Sequence, residues 1–362
     1  MRILLIFLLS IFTLPIFADE AKILPSEIGV VNSIQYIDVD NNEAGIQTKQ
    51  LLDIKLITGE FKNETVQVEN ILTGNPYYDI KLKKNTRVIL HAEDRGDGIE
   101  YSIEDIKRSG NLAWLSLIFC ALLIYVGKKK GIFSLVSIAL TVILIIKVLS
   151  PLILLGINPV LACFLICILS TAATMYLVGG FNKKSTSATL GACSSLIVAG
   201  ILSYTVMFTA KLTGFAGENS MFLYSAHPEL NFVSITIASM VLATLGAVMD
   251  VAMSIASTIN EIYTVDSTKT IKELFKSGMN VGRDIIGTMA NTLILVYMGG
   301  ALPLILLSEN VDWQKFMNLN MVVTEASSAI IGSIAIVICV PITAFISSLL
   351  LKKSNKNAEF NL

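Results

Sequence analysis

Residues 232–256 read FVSITIASMVLATLGAVMDVAMSIA, and this stretch decides the class of fold. The run is almost wholly apolar, and it exceeds the roughly 20 residues that a helix needs to cross the hydrocarbon core of a bilayer. Its one charged residue is Asp250, and a carboxylate at that depth costs about 3 kcal/mol on insertion scales. The composition agrees with membrane insertion, because 54% of the 362 residues are hydrophobic and only 15% are charged.

The chain begins with MRILLIFLLSIFTLPIFADE, in which Arg2 precedes an apolar run that Pro15 interrupts. This pattern is typical of a secretory signal peptide with cleavage after Ala18. An uncleaved N-terminal anchor is the alternative for residues 1–18. In both cases the pattern predicts that the segment that follows is exported.

Residues 19–110 differ sharply in composition from the rest of the chain. Apolar and polar residues alternate in GVVNSIQYIDVD, KQLLDIKLIT, ETVQVEN and TRVILHAED, and clusters of Gly, Asn and Asp separate these runs. The pattern predicts about four to six short strands of a small β-barrel or sandwich. All five cysteines lie in later apolar segments, so we expect no disulfide in this exported β-rich domain.

The remaining apolar runs predict an all-α helical bundle in the membrane, over residues 111–351. We place seven spans, at 111–127, 131–150, 158–181, 186–210, 232–256, 284–308 and 326–351. Lysine and arginine concentrate at 128–130, 183–184, 269–283 and 352–356, which are the connections on one side. By the positive-inside rule this side is cytoplasmic. The distribution predicts an extracytoplasmic β-rich domain and a cytoplasmic tail, residues 352–362, in a bacterial cell membrane.

The connection before the sixth span is itself patterned. Within DSTKTIKELFKSGMN, apolar residues recur at helical spacing and lysines occupy the other positions. The pattern predicts an amphipathic helix near 267–279 that lies on the cytoplasmic membrane surface. A cytosolic helix without lipid contact is the alternative.

Polar residues gather on one face of the fifth span. Gly246, Asp250, Ser254 and Ser257 recur at helical spacing and form a stripe of small and polar side chains. Because lipid is a poor neighbour for a carboxylate, we expect this stripe to face the interior of the bundle. It is either a polar pathway or a hydrogen-bonded knot that fixes helix packing.

The sixth span carries a second polar set, and a helix-weakening sequence follows it. Asp284, Thr288 and Asn291 share one face, and Arg283 lies at the cytoplasmic end. Assumed helix ends place Asp250 about 9 Å and Asn291 about 10 Å from the cytoplasmic side, so we expect them at matching depth, with Arg283 able to reach Asp250. A kink or hinge is expected further along, at Gly299, Gly300 and Pro303.

Other features give little support to an enzyme. The sequence contains no P-loop, HExxH or GxSxG motif, and Cys163 and Cys167 alone make a poor metal site. We therefore expect no enzyme activity, cofactor, metal or nucleic-acid partner. A solvated helix start explains Glu325. The expected partners are the lipid bilayer, a small solute or ion, and a membrane or envelope protein.

Two of these stretches carry a resemblance to a known family. GAVMDVAMSI (246–255) and GRDIIGTMANTL (282–293) resemble the YibE/F-like multi-pass membrane proteins of bacteria. The resemblance covers most of the chain, including the exported segment. It implies the multi-pass architecture and draws attention to Asp250, Arg283, Asp284 and Asn291, but it supplies no activity or catalytic residues.

The favoured hypothesis is a permease-like protein that moves a small solute or ion without hydrolysing ATP. Asp250, Ser254, Thr288 and Asn291 would belong to a polar core or pathway, and Arg283 and Asp284 would form its inner gate. The alternative is a non-transporting membrane sensor or envelope assembly factor that works through the exported β domain. An intramembrane enzyme that uses Asp250 and Asp284 is the third hypothesis, and no second catalytic motif supports it.

Overall fold

The computed structural model describes residues 26–38, 48–94 and 99–359. Residues 1–18, the predicted signal peptide or anchor, lie outside these ranges. The chain divides into two compact units between Phe119 and Cys120.

The N-terminal unit contains an antiparallel sheet, as the alternating pattern predicts. Its strands in the described residues are β1 (Glu27–Asp38), β2 (Thr48–Leu56), β3 (Thr65–Leu72), β4 (Arg87–Asp94) and β5 (Ile99–Ile106). They pair in the order β3-β2-β1-β4-β5, which places β4 beside β1 as in a Greek key. The two edge strands, β3 and β5, approach each other, so the five-stranded sheet curls into a partly open barrel.

The core of this barrel follows from the two-residue period of its strands. Along β2, Leu52, Ile54 and Leu56 point inward and are fully buried, while Lys55 between them is exposed. Side chains from the other strands complete the core, namely Val31, Val68, Leu82, Val88 and Leu90. The prediction of an N-terminal β domain is therefore confirmed.

The rest of the described chain is mostly helical. Its helices are α1 (Ser109–Leu144), α2 (Ser150–Leu154), α3 (Pro159–Gly179), α4 (Lys183–Thr209), α5 (Glu218–Ala226), α6 (Phe232–Val265), α7 (Ile271–Gly300), α8 (Leu302–Leu307), α9 (Trp313–Met317) and α10 (Asn320–Glu359). A π-helical turn, Ile145–Leu149, links α1 to α2, and a 3-10 turn, Ser308–Asn310, follows α8.

Five helical stretches in the described residues are long and apolar enough to cross a membrane. They are Ser109–Leu154, Pro159–Gly179, Lys183–Thr209, Phe232–Val265 and Asn320–Lys352. Helix α7 and the following Leu302–Asn310 make a sixth if the bent pair is one span. The predicted count of seven is not confirmed: the first two predicted spans fall in one stretch, Ser109–Leu154, whose backbone is non-helical at Lys128, where φ is +50°.

Helix α6 lies at the centre of the helical unit. It packs against α3, α4 and α10, and less extensively against α7. The packed face repeats with the period of a helix and is buried, at Val241, Leu245, Val248, Ala252, Ile255 and Ile259. Burial of this face on three sides fixes the position of α6, and therefore the position of every polar group that it carries.

Glycines on α7 and α10 let these two helices approach each other and α6 closely. A Cβ atom added at Gly278 would lie 2.6 Å from Ile259 Cδ1, and one added at Gly282 would collide with Val340 Cγ1 on α10. On α10, a Cβ atom at Gly332 would lie 2.6 Å from Leu293 Cδ2. Small residues at such positions allow backbones to pack tightly, which is how membrane helices associate when no hydrophobic effect drives them together.

The predicted amphipathic helix near 267–279 differs in the structure. The segment is the first part of α7, which continues without a break to Gly300. The helix begins with a capping box in which Thr270 Oγ1 accepts a hydrogen bond from the Glu273 N–H, and the Glu273 carboxylate accepts one from the Thr270 N–H. Leu274 is fully buried and Gly278 packs against Ile259, so this apolar face covers protein.

The predicted break after the sixth-span glycines is present. Helix α7 ends at Gly300, and the axis turns by 65° between Ile271–Gly300 and Leu302–Asn310. Pro303 lies in the first turn of α8, where its missing N–H costs no helical hydrogen bond. The Gly-Gly pair and the proline therefore end one helix and start the next.

The glycine contacts predict opposite effects for two substitutions on α7. Gly282→Ala places a methyl group against Val340 and should destabilise the helical unit by about 1–3 kcal/mol through overpacking. Gly287→Ala meets nothing within 4 Å and should stabilise it by about 0.5–1 kcal/mol, since alanine is the better helix former. Thermal unfolding of the purified variants in detergent measures both changes. Equal unfolding midpoints for Gly282→Ala and Gly287→Ala would contradict the close contact between Gly282 and Val340.

Candidate functional site

The open face of α6 carries small and polar side chains. Ser239, Ala243, Gly246, Asp250 and Ser254 recur at helical spacing and are exposed, on the side opposite the packed face. We call this set the α6 stripe. It includes three of the four residues of the predicted stripe and extends two turns further toward the start of the helix, while the fourth, Ser257, is half-buried.

Asp250 lies in the middle of the α6 stripe. No hydrogen bond or salt bridge reaches its carboxylate from the part of the chain that the structure describes. An ionised carboxylate next to lipid tails is costly, so its neighbour in a membrane has to be water, a bound solute or another polar group. The open face supplies the space for such a neighbour.

Arg283 does not neutralise Asp250 in the structure. Its Nη1 donates a 3.2 Å hydrogen bond to Asn280 Oδ1 on the same helix. The predicted approach of Arg283 to Asp250 is therefore not formed, and the guanidinium donates instead to Asn280, one turn back along α7.

The register of α6 against α7 places the predicted polar residues about one turn apart. Contacts pair Gly278 with Ile259 and Gly282 with Ile255. In this antiparallel register Asp250 is level with Gly287, and Asn291 lies one turn, about 6 Å, beyond it. The prediction that Asp250 and Asn291 lie at the same depth is wrong by one turn. The reason is that α6 runs on to Val265 and α7 begins at Ile271, well outside the assumed ends.

The polar residues of α7 face away from its packed side. Gly278, Gly282 and Leu293 form the packed side, and helical periodicity puts the predicted site residues opposite them. These residues, Asp284, Thr288 and Asn291, are all exposed, and the Thr288 hydroxyl donates to the carbonyl of Ile285 at 3.1 Å. The structure thus brings Asp250 and Ser254 together on the α6 stripe and leaves the α7 set on a separate face.

Two adjoining cavities lie at the Ser239 end of the α6 stripe. The smaller, of about 330 Å³, is lined by Ser239 and Ala243 of the stripe, by residues of α5 and the loop before it, and by α10. The larger, of about 600 Å³, lies against the bend between α7 and α8, where Gly300 and Pro303 line it. Because the smaller cavity and Asp250 share the stripe, a continuous open face runs about 10 Å along the helix from Ala243, at the cavity, to Asp250.

Tyr297 and Glu325 line both cavities, and sequence reasoning missed them. Tyr297 is on α7, and its hydroxyl is buried with no hydrogen-bond partner among the described residues. Glu325 is in the second turn of α10, where a solvated helix start was the expectation. The position of Glu325 inside a long apolar helix was the signal available in the sequence. Its proximity to Tyr297 depends on tertiary packing.

No metal centre is evident in the described ranges. They contain no group of three or more His, Cys, Asp or Glu side chains that could hold an ion. Cys163 and Cys167 lie 3.8 Å apart at their Sγ atoms, buried in the bundle, and all five cysteines are free thiols.

The architecture defines a class of protein: an N-terminal antiparallel β domain joined to a mostly helical part with apolar, membrane-span-like helices. The family model described as YibE/F-like protein matches residues 115–353, and that of the YibE/F family N-terminal domain matches residues 22–106. The chain therefore belongs to the YibE/F-like family, which confirms the resemblance seen in the sequence. No curated protein and no solved structure matches it.

The open α6 stripe predicts a pattern of solvent access. In a background without native cysteines, Gly246→Cys and Ser254→Cys should react with a charged, membrane-impermeant methanethiosulfonate. Ile330→Cys on α10 is the control, because Ile330 is 56% exposed but belongs to an apolar face. Mass spectrometry of the labelled protein in liposomes measures the rates. Equally slow labelling at all three positions would show that lipid covers the stripe.

Proposed function

We propose that this protein is a permease-like membrane protein that moves a small solute or ion along the α6 stripe, without hydrolysing ATP. One observation carries the proposal: the unpartnered carboxylate of Asp250 lies on an open face that leads to two adjoining cavities. A structural carboxylate would be expected to have a partner, since an unpaired charge in a bundle is destabilising. Small side chains along the stripe leave room for a solute beside the helix.

The bend between α7 and α8 supports a gating role for this region. Gly300, Ala301 and Pro303 form the bend and line the larger cavity. Hinges are a few residues at element ends that absorb large backbone changes. Movement of α8 about Ala301 would therefore widen or close the larger cavity while α7 stays packed on α10.

A seven-span topology is part of the proposal. The stretch Ser109–Leu154 has 46 residues and would measure about 69 Å as a straight helix, more than twice the thickness of a bilayer core. The helix is broken at Lys128, where φ is +50°, and Gly131 approaches the carbonyl of Leu123. Two spans joined by a tight turn at the lysines fit these facts, with the β domain outside and the C-terminus in the cytoplasm.

The predicted site residues contribute differently to this proposal. Asp250 and Ser254 line the passage, and Arg283 is near the inner end, level with Ser254. Asp284, Thr288 and Asn291 stay a prediction, because their face of α7 turns away from the packed side.

Removal of the charge at Asp250 should abolish transport and spare folding. We expect Asp250→Asn liposomes to show the flux of empty liposomes for every probe that wild-type protein moves. The probes are protons, Na⁺, K⁺, small ammonium ions and small neutral solutes, followed by internal dyes or light scattering. Glu261→Gln is the matched control, since Glu261 is an exposed carboxylate on the same helix.

Two outcomes would contradict the proposal. One is a wild-type protein that moves none of these probes. The other is an Asp250→Asn variant whose yield of folded protein falls as much as its flux, which would favour a packing role for the carboxylate.

A second candidate function, a sensor or envelope assembly factor, is favoured by an aromatic pair on the β domain. Tyr77 and Tyr78 are 69% and 70% exposed, with rings 4.9 Å apart. Asp79 fixes their loop by accepting hydrogen bonds from the backbone N–H groups of Thr73 and Gly74, at 2.6 and 2.8 Å. Large exposed aromatic groups on a rigid loop are typical of protein-binding surfaces.

This second function predicts a partner at the aromatic pair. A photo-reactive phenylalanine at position 78 should give a specific protein adduct in cells, and one at Ile57 on the same domain should not. Absence of an adduct at both positions, together with Asp250-dependent flux, would leave the permease as the better account.

A further inference from the structure

The two cavities that Tyr297 and Glu325 share are lined by a carboxyl group. Among the described residues that line them, Glu325 has the only acidic side chain, and no lysine, arginine or histidine is present. No hydrogen bond joins the Tyr297 hydroxyl to Glu325 among the described residues. A carboxylate that faces a cavity without a cationic partner favours a positively charged ligand.

The hydroxyl groups of the smaller cavity present acceptors to it. Each hydroxyl has one hydrogen, and four of these hydrogens are already donated to backbone carbonyls. The bonds run from Thr236 to Gly214 at 3.1 Å, from Ser239 to Thr236 at 2.9 Å, from Thr324 to Asn320 at 2.7 Å and from Ser328 to Thr324 at 2.9 Å. The lone pairs that remain suit a ligand that donates hydrogen bonds, as an ammonium group does.

The larger cavity is mainly apolar. Its lining includes Val296, Pro303, Leu304, Leu307 and Met321. On the other side, Phe232 lines the smaller cavity and stacks on Phe215 at 4.7 Å between ring centroids. The larger cavity therefore suits an apolar group, and the smaller one is the more polar of the two.

We infer that the two cavities together form a binding site for a small organic ammonium ion with an apolar group. The ammonium group lies between Glu325, Tyr297 and the hydroxyls of the smaller cavity, and the apolar group occupies the larger one. The cavity volumes, about 330 and 600 Å³, fall in the usual range for small-molecule sites, roughly 300–1,000 Å³. The inference rests on the proposed function in one respect: the bound ion is the solute that the α6 stripe carries.

Binding of n-butylammonium chloride to the purified full-length protein in nanodiscs tests this site. Isothermal titration calorimetry at constant ionic strength should give saturable binding for n-butylammonium, weaker binding for methylammonium, and none for sodium butyrate. Methylammonium keeps the charge and lacks the apolar group, whereas butyrate keeps the apolar group and reverses the charge.

Substitutions locate the binding to the two cavities. Glu325→Gln should raise the Kd for n-butylammonium at least tenfold, and Tyr297→Phe roughly threefold to tenfold, as expected for lost hydrogen bonds to a charged group. Glu309→Gln is the matched control, because Glu309 is an exposed carboxylate that does not line either cavity. Its Kd should stay within about twofold of the wild-type value.

The inference is overturned by an absence of n-butylammonium binding, by equal binding of butyrate, or by equal Kd values for wild type and a folded Glu325→Gln variant. Sodium or potassium that competes as strongly as methylammonium would also overturn it, because the site would then take any monovalent cation. If n-butylammonium does not bind but the Asp250-dependent flux of another probe is intact, only the proposed class of ligand is wrong. Intact binding without Asp250-dependent flux overturns the proposed transport.

Discussion

The physical constraint on which the helical unit depends is a carboxylate, Asp250, in a helix that otherwise has to be apolar. One face of α6 is buried against three other helices, so the carboxylate can lie only on the opposite face. That face consists of small and polar residues, and no described residue there pairs with the charge. Water, a bound solute or another polar group on the open face therefore has to compensate for the unfavourable burial of this charge.

The glycine contacts determine how this open face relates to its surroundings. Gly278 and Gly282 hold the first half of α7 tightly on α6 and α10, and Gly332 brings α10 against Leu293 in its second half. The smaller cavity lies between α6 and α7 near Tyr297. The bend at Ala301 follows at the end of this packed helix.

The sequence was sufficient for features that depend on local periodicity. Alternation of Leu52, Ile54 and Leu56 predicted the β domain, and apolar length predicted the helical part and the stripe that contains Asp250. Helix ends were less predictable, since apolar length placed the span ends at 256 and 284, whereas α6 runs on to Val265 and α7 begins at Ile271. This difference moved Asn291 one turn from Asp250.

Convergence of distant residues was beyond reach from one sequence. Tyr297 and Glu325 are adjacent only because α7 and α10 pack together, and neither residue belongs to a recognisable motif. The sequence shows that Asp284, Thr288 and Asn291 share one face of a helix. It does not show which face of that helix packs against the other helices, so their orientation away from the packed side could not be predicted.

A cryo-electron microscopy structure of the full-length protein in lipid nanodiscs tests the central claim most directly. The account predicts density for ordered water or a bound solute beside the Asp250 carboxylate, continuous along the α6 stripe with the cavities at Glu325. An acyl chain packed against Asp250, or a helix of another copy that covers the stripe and leaves it dry, would contradict it.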